Sequence, residues 1–222
     1  MPGPPNLRDI TFFPPLKLLP HDNVFTDSDD DYYSTSVDRH AREPRKHWCF
    51  FAEITEPSWY PLRPTFQAKD IDGTTFLVSF YFDDRALFEK VIEKGLVGST
   101  ICVMYASLHF FADGQFGVRL EEPKNVKIIP LGLDKLFAAN IIYRHMQSIV
   151  DSAGQISCVV CGASAAQRCS RCSAVSYCGR QCQEQDWKAK HKKECIAMRQ
   201  MKAWSEFDWQ EYKVHQGFTD FV

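Results

Sequence analysis

Residues 158–195 read CVVCGASAAQRCSRCSAVSYCGRQCQEQDWKAKHKKEC and hold seven of the chain's nine cysteines. Candidate metal ligands fall in four pairs: Cys158/Cys161, Cys169/Cys172, Cys178/Cys182 and His191/Cys195. The first two pairs enclose two residues, a gap at which a tight turn aims two thiolates at one ion. The last two enclose three, which puts i and i+4 side chains on one helical face. Eight ligands fill two tetrahedral sites and leave no place for water, so both sites are expected to be structural.

Cysteines serving only as small core residues would not fall in pairs at ligand spacing. A disulfide framework needs an oxidising compartment, and nothing in the sequence indicates one. Four pairs combine into two sites in three ways, and spacing alone leaves all three open.

The pattern C-x2-C-x7-C-x2-C-x5-C-x3-C-x8-H-x3-C resembles the MYND-type zinc finger ligand for ligand, and Tyr177, Gln183, Asp186, Trp187 and Lys192 are also similar to that family. The resemblance implies interleaved sites. One zinc takes Cys158, Cys161, Cys178 and Cys182, and the second takes Cys169, Cys172, His191 and Cys195. Interleaving suits a stretch whose seven-residue loop between the first two pairs is too short to build its own core. Two structural zinc ions then supply most of the folding free energy, on the order of 10 kcal/mol or more. The resemblance further implies binding of short proline-rich segments of Pro-x-Leu-x-Pro type. Such a segment is expected to add as a strand beside a hairpin at Ser173–Tyr177 and to pack on the following helix. The matching contact positions are Ser176, Tyr177, Gln183 and Trp187.

Formal net charge over the 222 residues is −2, so no global field draws the protein to nucleic acid or anionic lipid. Residues 158–195 carry seven Lys/Arg against three Asp/Glu. Seven thiolates and two Zn²⁺ reduce that net +4 to about +1. Neither a signal-peptide pattern nor an apolar run near 18 residues opens the chain, so secretion and membrane insertion are not expected. Reduced zinc-bound cysteines fit the nucleus or cytoplasm.

The expected class is α+β: a small five-stranded OB-like β-barrel with a helix, a connecting helix, and the C-terminal two-zinc finger. Residues 1–38 hold six prolines and the acidic run Asp27–Asp31, which predicts an extended arm without its own core. Within it, the apolar segment Phe12–Pro20 suggests docking, with Pro14-Pro15-Leu16-Lys17-Leu18 partly imitating the finger's implied ligand. The same segment could equally dock on the barrel.

Residues 39–130 are expected to form the barrel. Strands are predicted at 48–54, 65–70, 74–82, 101–111 and 116–120, with turns at Asp72-Gly73 and Asp113-Gly114. A helix on Leu87, Phe88, Val91 and Ile92 is predicted between the third and fourth strands. Cys49 and Cys102 read as small core residues. Residues 131–157 are expected to form a connecting helix capped by Asp134, burying Leu136, Phe137, Asn140, Ile141, Met146, Ile149 and Val150. Residues 196–222 complete the chain with a helix and a short tail.

The sequence contains no motif of catalytic mechanism: no Gly-x-Ser-x-Gly, no phosphate-binding loop, no His-Glu-x-x-His. The histidines outside the finger form no spaced cluster, so no enzymatic activity is expected. Single-stranded nucleic-acid binding by the barrel ranks lower than protein interaction. Residues 39–130 balance twelve Lys/Arg against twelve Asp/Glu, which leaves no positive field.

Overall fold

Alternating apolar residues and tight turns direct the middle of the chain, between residues 49 and 129, into a sheet. The computed structural model describes residues 3–22, 27–34, 43–58, 63–84, 86, 96–148 and 156–219. The chain divides into two compact units: Met1–Arg8 with Asp134–Phe207, and Asp9–Leu133 with Asp208–Val222. Among the described residues no helix is long and apolar enough to cross a membrane.

The larger unit is built on a seven-stranded sheet of β1 (Cys49–Ser58), β2 (Thr65–Lys69), β3 (Thr75–Phe80), β4 (Thr100–Met104), β5 (His109–Phe110), β6 (Phe116–Leu120) and β7 (Val126–Ile129). Its order is β5-β6-β3-β2-β1-β4-β7, so β1 pairs on both sides, with β2 and β4. All pairs are antiparallel except β3 with β6. That parallel contact explains Gly117, where a Cβ would strike the Leu77 carbonyl oxygen. The core holds Phe50, Phe66, Phe76, Phe80, Ile101 and Ile128, all buried. Cys49 and Cys102 are fully buried, and burial pushes both thiols up in pKa.

Several expectations change here. The sheet has seven strands rather than five. The strand expected over 101–111 breaks at Tyr105, which takes a left-handed backbone (φ 55°). A non-glycine residue tolerates that only when its surroundings fix it. They do: the ring meets Trp48 edge-on at 5.2 Å, and its hydroxyl bonds His47 Nδ1 at 2.5 Å. Val126–Ile129, expected as part of a connector, pairs with β4 as a full strand. The predicted helix over Leu87–Ile92 lies outside the described residues.

The segment expected as a coreless arm is built into this unit from Asp9 onward. Phe13, Leu16 and Leu19 are buried. Phe13 stacks on Phe51 at 5.3 Å and meets Trp209 edge-on at 4.7 Å. The Cys49 N–H donates to the Phe12 carbonyl at 2.8 Å. Buried Asp70 joins arm and sheet. Its Oδ1 accepts from the N–H groups of Asp72 and Thr74, shaping the hairpin turn where Gly73 takes φ 80°. Its Oδ2 accepts from the Leu16 N–H at 2.9 Å. The acidic run forms a 3₁₀ turn, Asp27–Asp31, in which buried Asp29 accepts from the His21 N–H. The ligand-like Pro14–Leu18 stretch therefore belongs to the sheet's unit.

In the smaller unit, α1 (Leu133–Ser148) buries Leu136, Phe137 and Asn140 as expected. Ile141, expected inside, is 60% exposed, while Ala139 and Tyr143 complete the buried stripe. Asn140 is buried because it clasps the chain's beginning, donating to the Pro5 carbonyl and accepting from the Leu7 N–H. Asp134 lies in the helix's first turn, and the Leu133 N–H is taken by Glu53 Oε2 at 2.9 Å. Ile149 and Val150 lie outside the described residues.

Truncating Phe13 tests whether the arm is structural. Phe13→Ala should destabilise the sheet unit by about 3–5 kcal/mol in denaturant unfolding, whereas Leu18→Ala at an exposed position should cost within about 0.5 kcal/mol.

Candidate metal centre and adjoining groove

The finger has little regular structure to hold it. Its hairpin is β8 (Gln167–Arg168) with β9 (Ser176–Tyr177), two residues each. Helix α2 (Arg180–Asp186) follows, then a wide π turn over Trp187–His191, then α3 (Lys192–Ser205). Helix α3 carries the predicted extension beyond the finger, burying Met198, Met201 and Trp204.

The eight candidate ligands converge in two groups of four, Cys158/Cys161/Cys178/Cys182 and Cys169/Cys172/His191/Cys195. Within each group the ligand atoms lie within 4.8 Å of one another. This is the interleaved combination of pairs. Sulfurs on a tetrahedron with zinc–sulfur bonds of about 2.3 Å stand about 3.8 Å apart, whereas a disulfide needs about 2.05 Å. Cys161–Cys178 and Cys178–Cys182 are each 3.5 Å apart, Cys169–Cys195 4.0 Å, and Cys172 Sγ to His191 Nε2 3.6 Å. The donor sets and spacings fit two zinc ions with no open position.

Without metal the surroundings favour ionisation of two ligand thiols and oppose it at four: burial raises Cys172 and Cys195, and neighbouring thiols raise Cys178 and Cys182. Burial opposes ionisation of Cys158, but backbone N–H groups of Cys161, Cys178 and Val160 outweigh it and bring the thiol down to about 6. Cys169 is lowered by the same arrangement, with the N–H groups of Cys172 and Arg171 acting against burial. Burial lowers His191, which favours the neutral imidazole a metal needs. The second group is buried throughout, whereas Cys161 of the first is exposed.

The positions expected to touch a peptide separate into two kinds. Ser176 and Tyr177 are buried, and the Tyr177 hydroxyl donates to buried Asp186 at 2.7 Å. Tyr177 thereby ties the hairpin to the helix, whereas Ser176 lines a separate cavity with Arg168, Ser173 and Ala174. The Ser176 carbonyl also accepts from the Val159 N–H, which occupies β9 on that side. Gln183 and Trp187 instead line an open groove with Gln167, Arg180 and Glu184. Gln167 Nε2 donates to Gln183 Oε1 at 3.1 Å, joining strand to helix across the groove floor. Trp187 is half-buried, with its ring edge-on to His191 at 5.8 Å. It is thus partly finger core and partly groove wall. Gln167 was missed by sequence reasoning because nothing in a two-residue strand marks its outer edge.

The MYND finger family model matches residues 158–195, the stretch that holds both clusters. Over 42 residues the chain is 48% identical to ubiquitin carboxyl-terminal hydrolase 19 of Arabidopsis thaliana, covering 19% of this chain and 6% of that protein. Over 54 residues it is 41% identical to programmed cell death protein 2 of Bos taurus, covering 24% and 14%. The similarity therefore spans a small fraction of either relative. A crystal structure of Schizosaccharomyces pombe Pot1pC bound to ssDNA is similar over 46% of this chain and 91% of that one, at 8% identity and a TM-score of 0.31. Residues 158–195 are a MYND-type zinc finger, and the remainder of the chain is described by its own structure.

Metal analysis of purified protein should find two zinc ions per chain. Cys169→Ser should reduce that to one or none and expose the finger to protease, while the far-UV strand signal of the sheet persists.

Proposed function

We propose that the finger is a zinc-dependent, non-catalytic protein-interaction module, acting in the nucleus or cytoplasm, that captures proline-rich Pro-x-Leu-x-Pro-like segments of partner proteins. One observation carries this reading: an unpaired strand edge and a half-buried tryptophan share one groove. Among the described residues β8 pairs with β9 alone, so its outer edge offers main-chain donors and acceptors to an extended segment. Trp187 lies beside that edge and offers a flat apolar surface to proline rings, while Gln183 supplies a donor and an acceptor. The strand expected beside Ser173–Tyr177 is thereby moved to the Gln167 side of the hairpin. Proline suits this site because its preset extended backbone lowers the entropy lost on binding.

The test is fluorescence anisotropy with a labelled Pro-x-Leu-x-Pro peptide and the full chain. Trp187→Ala should weaken binding at least about tenfold, as is usual for a central tryptophan. Two zinc ions must remain bound in the variant. Equal affinity in a metal-replete variant would remove Trp187 from the interface and refute the groove.

A second reading rests on the sheet. The guanidinium groups of Arg63 and Arg119 both lie over the Tyr81 ring, at 3.9 and 4.3 Å from its centroid. Phe110 and Phe116, paired across β5 and β6, are exposed nearby in sequence and sheet order. Aromatics beside arginines can stack single-stranded bases. Arg119 also pairs with Glu121, and the charges of residues 39–130 balance, which places this reading second. Single-stranded DNA should therefore bind weakly at physiological salt. Tight binding abolished by Tyr81→Ala would reverse the ranking.

A further inference from the structure

We propose that the segment captured by the finger carries acidic residues beside its apolar core, read by Arg171 and Lys188. This rests on the peptide-binding reading above and names the chemistry of its partner.

The exposed side chains of the finger from β8 onward are one-sided in charge, although the groove's own charged lining, Arg180 and Glu184, is balanced. Between residues 166 and 193 seven Lys/Arg are exposed against a single exposed carboxylate, Glu184. The other acid in that span, Asp186, is buried and accepts the Tyr177 hydroxyl. Glu184 is itself engaged, since Arg180 Nε reaches its Oε1 at 2.6 Å. That pair neutralises one end of the groove. Arg171 and Lys188 are both exposed, and Lys188 acts on the Glu184 carboxylate only as a secondary influence after Arg180. With zinc bound, the four-thiolate centre carries about −2 and the three-thiolate centre about −1, so the seven exposed cations leave the finger with only a small positive surplus, carried on its surface.

Arg171 is also placed. Its guanidinium lies over the Trp187 ring, 5.5 Å from the centroid. A guanidinium on an aromatic face is held by cation–π attraction and keeps its N–H donors free at its edge. A segment that packs on Trp187 therefore meets a pre-positioned fork matched to a carboxylate, with Lys188 one residue from the tryptophan. Ordering a long side chain is the usual cost of an exposed ion pair, and the indole reduces it here.

The experiment compares two peptides on the full chain by fluorescence anisotropy. Both contain Pro-x-Leu-x-Pro; one is flanked by serines, the other by aspartates. The acidic peptide should bind about fivefold to tenfold more tightly at low salt, and the advantage should shrink as ionic strength rises. In the Arg171→Gln/Lys188→Gln variant, checked for two bound zinc ions, the ratio of the two affinities should fall to about one. Equal affinities in the unmodified protein, or a ratio that survives in the variant, would overturn the proposal and leave the peptide reading standing. Failure of both peptides to bind would overturn the peptide reading and this proposal with it.

Discussion

The finger exists only insofar as eight side chains are gathered around two points. Its strands are two residues long, and its hairpin buries little beyond Ala174, Val175 and Tyr177. So small an apolar content cannot offset the entropy of ordering nearly forty residues. Metal coordination must supply the difference. Interleaving decides what that coordination holds. One cluster joins the first knuckle to Cys178 and Cys182 around the start of α2; the other joins the second knuckle to His191 at the end of the π turn and Cys195 in α3. The crossing locks hairpin and helices together, and the groove between β8 and Trp187 is a product of that lock.

The sheet unit is stabilised in a different way. It holds a contiguous aromatic and aliphatic core. Leu16 and Leu19 enter that core from the arm, while Phe13 is buried outside it against Phe51 and Trp209. Asp70 shows how a buried charge is accommodated: both carboxylate oxygens accept backbone N–H groups, two for a turn and one for the arm. No metal enters this account. The two units are stabilised by different physics, and loss of zinc should reach only one of them directly.

What the sequence made legible follows from range. Ligand pairs are local, since their geometry needs only a turn or one helical step, and all eight converge as the pairing implied. The turns at Gly73 and Gly114 and the strands at 65–69 and 116–120 are local for the same reason. The failures are non-local. A proline-rich, acidic stretch looks coreless until Phe51, Trp209 and Asp70 are brought to it. The break at Tyr105 is set by His47, Trp48 and Gln216, up to 111 positions away. Ile141 fits the α1 stripe by periodicity, yet it faces solvent beside Asn140, which is buried to bind Pro5 and Leu7. Periodicity places Asn140 and Ile141 together on the buried face; Asn140 takes that place through a specific hydrogen-bond pair, whereas Ile141 does not.

The same distinction applies to the groove. Ser176 and Tyr177 lie at positions the family resemblance marks for contact, but the Tyr177 side chain serves the interior. Tyr177 donates to Asp186 at 2.7 Å, one position before Trp187, and its ring meets that of ligand His191 at 6.2 Å. His191 presents Nε2 to Cys172, so its proton sits on Nδ1 when the metal is bound. A buried tyrosine–aspartate bond thus links the hairpin, the metal ligand and the tryptophan that walls the groove. Hydrogen bonds between buried groups gain strength in a low-dielectric setting and resist rearrangement. Trp187 can therefore remain half-exposed without collapsing onto the finger. In the peptide-binding reading proposed above, a tryptophan already fixed beside the groove would need no reordering on binding.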